Sequence, residues 1–204
     1  MKTWICSLIV ALTVASVSAQ VVSQPTAKKA GEMANAQVNK GGDNRVIRLE
    51  GENSDSDLRP RQWDVIVYDP TRTNHGTAVR IKDGVAISLA PSVRMFDDAS
   101  WGHFGRNFTG YDIGEVINLK RWKLDSTDAV AKVTAMPGVT AVQITAVKLT
   151  LSKLSDGDVA PVWQVKIKGR LRADPRRELW IGSVELSAET GEILKNNINI
   201  ERLR

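Results

Sequence analysis

Two histidines and a nearby set of carboxylates are the residues best suited to acid–base chemistry in this sequence. His103 follows Asp97, Asp98 and Ser100, so this segment contains the side chains of a serine–histidine–aspartate triad. A triad is fixed by its geometry in space, however, and no serine here stands in the G-x-S-x-G turn that exposes the nucleophile of many hydrolases. His75 lies in the turn sequence Thr-Asn-His-Gly, which is typical of an exposed loop. We therefore expect no catalytic residues.

One acidic run has the composition of a cation site. Residues 53–57 read Asn-Ser-Asp-Ser-Asp, as at the start of a calcium-binding loop, and Asp64 lies near the closing position. Leu58 occupies the place where such a loop requires glycine for its sharp turn. The only cysteine, Cys6, lies in the N-terminal segment. We expect a polar connection at this point, with no metal site and no cofactor.

A group of basic residues in the second half is the candidate binding surface. Alternation along a strand places Lys166, Lys168 and Arg170 on one face, opposite apolar neighbours. The full group continues into the adjoining turn: Lys166, Lys168, Arg170, Arg172, Arg176 and Arg177. One interpretation is an ordinary solvated sheet face, since protein surfaces are normally charged. The other is an electropositive strip that steers an acidic ligand or protein partner.

The N-terminus has the pattern of an export signal. Lys2 precedes an apolar run over residues 4–14, and Val17-Ser18-Ala19 is a small-residue cleavage pattern. A signal anchor is the alternative, but the run is shorter than the roughly 20 residues that cross a bilayer. We expect residues 1–19 to be a signal peptide and the mature chain to be periplasmic or extracellular, without a transmembrane segment.

Loss of the signal peptide changes the composition in two ways. Cys6 is removed, so the mature chain has no thiol and forms no disulfide, and its stability depends on a hydrophobic core. Lys2 is removed as well, which lowers the formal net charge from +5 to +4. A mildly positive charge favours acidic partners. No nucleic-acid-binding motif is present, and we expect no nucleic-acid partner.

The elements that position these residues are clearest in the second half. Asp125-Ser126-Thr127-Asp128 predicts a capped helix start, small apolar residues follow at helical spacing, and Pro137-Gly138 ends the helix. The apolar run over residues 142–151 changes its alternation near Thr145-Ala146. This change of phase predicts a strand that contains a β-bulge.

Three further strands are predicted after that bulge. Residues 163–168 alternate cleanly between apolar and polar types, as in an antiparallel sheet with one wet face. A second strand covers residues 180–186. The last strand covers residues 193–200, after the Glu-Thr-Gly turn.

The first half repeats this plan. An Ala-rich helix is predicted over residues 25–38, and a strand begins at Val46. Trp63-Asp64-Val65-Ile66-Val67 matches Trp163-Gln164-Val165-Lys166-Ile167 in the pattern W-x-V-x-[VI]. Val79-Arg80-Ile81-Lys82-Asp83-Gly84 likewise matches Val184-Glu185-Leu186 and the Gly191 turn that follows it. The alternative is a chance similarity between two small sheets.

The predicted fold class is α+β, with two tandem helix-on-antiparallel-sheet repeats. Residues 20–89 form the first repeat, 90–122 an ordered crossover linker and 123–204 the second repeat. The aromatic residues of the crossover fit either a cover for the core edge or a binding loop. The expected core residues are Trp63, Val65, Val67, Trp163, Val165, Ile167, Trp180 and Val184.

These residues together resemble the PepSY domain family. The likeness runs from D-S-T-D-A at 125–129, through P-G-V and the Trp163 strand, to V-E-L-S-A-E-T-G-E-I at 184–193. It covers residues 125–194, and residues 26–89 resemble a more diverged copy. The family usually carries an aspartate where this chain has Ser187 or Ala188. Paired units of this shape also resemble the beta-lactamase inhibitor proteins, in which two copies form a concave sheet.

The resemblance implies an exported binding module without catalytic residues. Members of the PepSY family are thought to bind or restrain peptidases, so the expected function is inhibition or regulation of an exported peptidase. The alternative function is binding of a small molecule or an envelope polymer on the sheet face. An open face of mixed apolar and basic character would favour a protein partner, whereas a deep apolar pocket would favour a small ligand.

Overall fold

The computed structural model describes five stretches of the chain: residues 24–40, 42–54, 57–89, 110–155 and 157–204. The predicted signal peptide lies outside the described residues. So do residues 90–109 of the predicted crossover, which include His103 and the acidic residues beside it.

The described residues contain two α-helices and eight strands, and each helix precedes four strands. The elements are α1 (Ala27–Val38), β1 (Val46–Ser54), β2 (Pro60–Tyr68), β3 (Gly76–Lys82), β4 (Val85–Ser88), α2 (Ser126–Thr134), β5 (Val142–Ser152), β6 (Val162–Leu171), β7 (Leu179–Ser187) and β8 (Ile193–Asn196). The last strand ends at Asn196, short of the predicted 193–200, and a 3-10 helix follows at Ile200–Leu203. Neither helix in the described ranges has the length and apolar character needed to cross a bilayer.

All eight strands belong to one antiparallel sheet. Its order is β4-β3-β2-β1-β5-β6-β7-β8, so the two four-strand sets meet where β1 pairs with β5. In that pairing Leu49 lies opposite Leu151, Glu50 opposite Thr150, and Gly51 opposite Leu149. The fold is therefore α+β, as predicted, with a single continuous sheet.

The hydrophobic core lies between this sheet and the two helices. Trp63 on β2 and Trp163 on β6 are both fully buried, and their ring centroids are 6.5 Å apart. The helices contribute small side chains, such as Ala30 of α1 and Ala129 of α2, which let helix and sheet approach closely. Trp122, just before α2, packs edge-on against Trp163 at 6.3 Å. Seven of the eight predicted core residues are buried here.

Trp180 is the exception, and the prediction for it is wrong. Its side chain is 43% exposed because the register between β6 and β7 shifts next to it. Ile167 pairs with Gly182, but Lys168 pairs with Trp180, so Ile181 is the extra residue of a β-bulge. Ile181 turns into the core in place of Trp180. The bulge predicted near Thr145-Ala146 is confirmed, since the β5–β6 register shifts between Ile144 and Ala146.

The two helices meet at their N-termini. The predicted cap is confirmed: the Asp125 carboxylate accepts a hydrogen bond from the backbone of Ser126 at 2.7 Å, and the Asp128 carboxylate accepts one from the Asp125 backbone. Asp125 also accepts a hydrogen bond from the Lys28 backbone in α1, at 3.2 Å. The Ser126 hydroxyl accepts one from the Ala27 backbone at 3.1 Å. The residues that cap α2 therefore satisfy free N–H groups of α1 as well.

The turn between β2 and β3 is organised around Asp69. Its carboxylate accepts hydrogen bonds from the Thr71 hydroxyl at 2.6 Å and from the Thr77 hydroxyl at 2.7 Å. Burial raises the pKa of Asp69, but these hydrogen bonds outweigh it and leave the pKa below its ordinary value. His75 is exposed in the same turn, and its ring packs edge-on against Tyr68 at 5.9 Å.

Candidate functional site

The candidate site is the outer face of the sheet, defined as the face opposite the two helices. Side chains alternate along each strand, so the residues that flank the buried tryptophans point to this face. Among the described residues, neither helix packs on it. The outer-face side chains used below are Arg48, Glu50, Glu52, Asp64, Arg80, Ala146, Lys148, Thr150, Gln164, Lys166, Lys168, Arg170, Trp180 and Glu185.

An ionic network occupies the middle of the outer face. Glu50 is 5% exposed and forms ion pairs with Arg48 at 3.3 Å and with Lys148. Lys148 also pairs with Glu52 at 2.6 Å. Burial raises the pKa of Glu50 above its ordinary value, although both cations oppose the effect. The pKa of Lys148 is lowered by burial but raised more strongly by its two carboxylate partners, so the ammonium stays charged.

A second ion pair crosses from β2 to β3. The Arg80 guanidinium donates to both carboxylate oxygens of Asp64, at 2.8 and 2.9 Å. Hydrogen bonding to Asp64 raises the pKa of Arg80. In the second half, Gln164 and Glu185 face each other across β6 and β7. Gln164 is buried, and its Oε1 atom has no hydrogen-bond partner in the described residues.

The strand part of the predicted basic group lies together on the outer face. Lys166, Lys168 and Arg170 occupy alternate positions of β6 and are all half-buried. Lys168 forms an ion pair with Glu178 at 2.6 Å, and the Arg170 guanidinium donates to the Gln143 side chain at 3.0 Å. The hydrogen bond from Lys168 lowers the pKa of Glu178.

The turn part of the predicted group is held in separate contacts. The Arg172 guanidinium donates to the Thr140 carbonyl at 3.3 Å. Arg176 makes a two-pronged ion pair with Asp174, with both contacts at 2.8 Å. Arg177 donates to the carbonyl of Arg204. The six residues thus occupy β6 and the turn that follows it, but only the three on β6 form a strip.

Two features of the outer face were missed in the sequence. One is the buried network around Glu50 and Lys148, since charged residues on a strand carry no sign of being buried. The other is Trp180, which the alternation pattern placed in the core. Gly182 was the available signal, because an isolated glycine within a strand often marks a bulge. Its φ of +134° strains any other residue, and an added Cβ atom would lie 2.1 Å from the Asn197 carbonyl oxygen.

A groove of about 580 Å³ opens on the outer face where the two halves of the sheet meet. Its lining residues are Glu52, Ser54, Arg61, Ala146, Val147, Lys148, Lys168 and Trp180. A smaller cavity of about 300 Å³ lies on the helix side, between the start of α1, the side of α2 and the β1–β2 connection. Half of the groove's lining side chains are charged.

The residues considered for catalysis or metal binding are not gathered by the described structure. His75 is exposed in a turn, and the triad-like segment around His103 lies outside the described residues. Of the calcium-like run, residues 55 and 56 are not described, and Asp57 forms an ion pair with Arg59 at 3.4 Å. Within the described ranges, no three histidine, cysteine or acidic side chains are grouped so as to hold a metal ion.

Comparison with known proteins identifies no relative of this chain, so a function has to be inferred from its own sequence and geometry. No family model matches the sequence, and it finds no match among curated proteins or among solved structures.

Proposed function

We propose that this chain is an exported, non-catalytic binding protein that recognises another exported protein through the outer face of its sheet. An exported peptidase is the first partner class to test. One observation carries the proposal: both helices cover one face of an eight-stranded sheet, while the other face carries an exposed tryptophan and the half-buried cations of β6. Tryptophan and arginine are enriched at protein interfaces, and Trp180 and Arg170 both lie on this face.

The proposal includes a tandem duplication. The buried indoles make equivalent hydrogen bonds: Trp63 donates to the Pro25 carbonyl at 2.9 Å, and Trp163 donates to the Leu124 carbonyl at 3.0 Å. Each acceptor lies two residues before the first residue of its helix. A shared contact of this kind is what a duplication would produce, and it supports the proposal.

The strand register supports the same duplication. Trp63 lies opposite Ile81 and Val65 opposite Val79, whereas Trp163 lies opposite Leu186 and Val165 opposite Val184. These are the pairs matched in the sequence. Leu49 lies opposite Val65, as Leu149 lies opposite Val165. The β1–β5 pairing is symmetric about Glu50 and Thr150, as expected if a pseudo-twofold axis relates the two halves. This arrangement suits the PepSY-like interpretation.

The groove favours a protein partner over a small ligand. Small-molecule sites are mostly apolar, with a few polar groups that fix orientation. Here four of the eight lining residues, Glu52, Arg61, Lys148 and Lys168, are charged. An envelope polymer remains the alternative ligand for the same face.

Charge reversal on the outer face tests the proposal. The variant Lys168→Glu/Arg170→Glu reverses two charges on β6, and the control Lys29→Glu/Lys132→Glu reverses two exposed charges on the helices. The mature chain and both variants are titrated into purified exported peptidases, with binding followed by calorimetry and inhibition by cleavage of a fluorogenic peptide.

We expect the mature chain to bind at least one peptidase stoichiometrically. The outer-face variant should bind it at least about tenfold more weakly, because reversed charges face the partner, and the helix variant should bind normally. Equal binding by the outer-face variant would exclude this face. Substrate turnover by the chain alone would show that it is an enzyme.

A further inference from the structure

A β-bulge places Trp180 on the outer face of the sheet. Of the four tryptophans in the described residues, Trp63, Trp122 and Trp163 are buried, and Trp180 alone is exposed. The cause is the bulge at Ile181, which restores the core with an isoleucine and turns the indole outwards. Without the extra residue, alternation would bury the indole. Bulges that re-aim a side chain are frequent at functional sites, and an exposed indole has no role in this core.

The groove beside Trp180 is a depression between large side chains. Ala146, Lys168 and Trp180 form a row across β5, β6 and β7, because Ala146 pairs with Lys168 and Lys168 pairs with Trp180. Lys168 lies between the small Ala146 and the indole in this row. Lys148 and Glu52 also line the groove. The groove therefore offers an apolar contact at Trp180 and charged contacts at Lys168 and Lys148.

The charges around the groove select the chemistry of the occupant. Three of the charged residues that line the groove are cations, namely Arg61, Lys148 and Lys168, and one, Glu52, is an anion. Lys168 is held by Glu178 in a pair that is about one-third exposed on both sides (35% and 36%). Solvent-exposed ion pairs contribute little stabilising free energy in water, so an incoming carboxylate can compete with Glu178 for the Lys168 ammonium. Lys168 also has three donors, and one of them is used in this pair.

We infer that the groove at Trp180 is the anchor site for an acidic loop of the partner protein. An apolar side chain of the loop packs against the indole, and a neighbouring carboxylate pairs with Lys168. Tryptophan is among the residues that most often dominate binding energy at protein interfaces. The inference rests on the proposed function and specifies which part of the outer face makes the decisive contacts.

A peptide probe can test the site before the partner is identified. The probe is a capped peptide of alternating glutamate and leucine, and its twin carries glutamine in place of each glutamate. Binding is followed by NMR on the full mature chain through the Trp180 indole N–H signal, which is assigned by its loss in Trp180→Phe. A third titration uses alginate, an anionic polysaccharide.

We expect the acidic peptide to shift the Trp180 signal and the glutamine twin to bind about tenfold more weakly. Lys168→Gln should weaken binding of the acidic peptide by a similar factor and leave binding of the glutamine twin unchanged. Trp180→Ala should weaken binding of both peptides. The control Leu119→Ala truncates an exposed apolar side chain outside the sheet and should leave binding of both peptides unchanged. Thermal melts of each variant check that it folds.

Three results would overturn the inference: equal binding of the two peptides, normal peptide binding by Trp180→Ala, or a response of the indole to alginate alone. The proposed function can be judged separately with the peptidase assay. If the charge-reversal variant loses the peptidase while Trp180→Ala keeps full affinity, the outer face binds the partner but Trp180 does not anchor it.

Discussion

The two buried tryptophans allow the proposed duplication to be tested by stability measurements. In Trp63→Phe and Trp163→Phe, an indole that is fully buried is replaced by a smaller ring without a donor. Each change removes one hydrogen bond to the carbonyl before a helix, at 2.9 and 3.0 Å. If the two residues hold equivalent positions, the two substitutions should have similar costs.

The expected cost follows from these contacts. Loss of the hydrogen bond costs about 1 kcal/mol, and the space left by the smaller ring costs a further 1–2 kcal/mol or so. Both variants should therefore lose about 2–3 kcal/mol. Trp163→Phe should fall at the lower end, because the Leu124 carbonyl also accepts a hydrogen bond from the Trp122 indole at 2.8 Å. The exposed Trp180→Phe is the matched control, with an expected change within about 0.5 kcal/mol.

Urea denaturation of the mature chain, followed by circular dichroism and by fluorescence, measures these free energies of unfolding. The rings of Trp63 and Trp163 are 6.5 Å apart, so the double variant should lose less than the sum of the single losses, by about 0.5–1 kcal/mol. A cost above about 2 kcal/mol at one tryptophan and below about 0.5 kcal/mol at the other would refute the equivalence. A strictly additive double variant would refute the contact between the two halves.

Two further substitutions test the turn and the shared helix cap. Asp69→Asn should destabilise the chain by about 1 kcal/mol at neutral pH through weaker hydrogen bonds to Thr71 and Thr77. The folded-state pKa of Asp69 is lowered, so the difference in stability between the two proteins is complete above the unfolded-state pKa of Asp69. This difference should vanish as the pH falls through the folded-state pKa. A difference in urea midpoint that persists in acid would contradict the role given to the Asp69 carboxylate. Asp125→Ala should cost about 2 kcal/mol, roughly twice a single cap, because its carboxylate serves both helices. Thr26→Ala removes the N-cap residue of α1, whose side chain makes no cap hydrogen bond, and should change stability little; equal costs for the two substitutions would exclude the shared cap.

Much of the fold was predictable because it depends on local patterns. The cap at Asp125 and the alternation of the Trp163 strand each depend on residues that are close together in the sequence, and both predictions are confirmed. The bulge near Ala146 could be predicted because the alternation of apolar and polar residues changes phase within one apolar run. The pairing of β1 with β5 was not encoded locally, since it depends on which strand edges remain available once each half has formed.

The errors at the candidate site have a related cause. Trp180 and Val184 are separated by an even number of positions, so strict alternation places both on one face, and the bulge at Ile181 breaks that rule. The burial of Glu50 and Lys148 depends on neighbouring strands that lie far apart in sequence. The position of Lys168 on the outer face was predictable, whereas its pairing with Glu178 requires the turn geometry.

Divergence between the two halves indicates which of them should bind. Under the proposed duplication the inward positions keep their character, as with Trp63 and Trp163, because both must fill the same core. The outward positions do not: Ile66 corresponds to Lys166, and the Asp64–Arg80 ion pair corresponds to Gln164 opposite Glu185.

A core constraint acts on both copies equally, so differences confined to the outer face reflect what that face contacts. In the first half, Arg48 pairs with Glu50 and Asp64 with Arg80, and Glu50 also pairs with Lys148 of the second half. The second half exposes Trp180 and carries the basic residues of β6. The proposed pseudo-twofold axis therefore should not relate two equivalent binding sites. A partner should contact the second half and the groove at its junction with the first, in a complex of one partner per chain. A measured stoichiometry of two partners per chain would contradict this asymmetry.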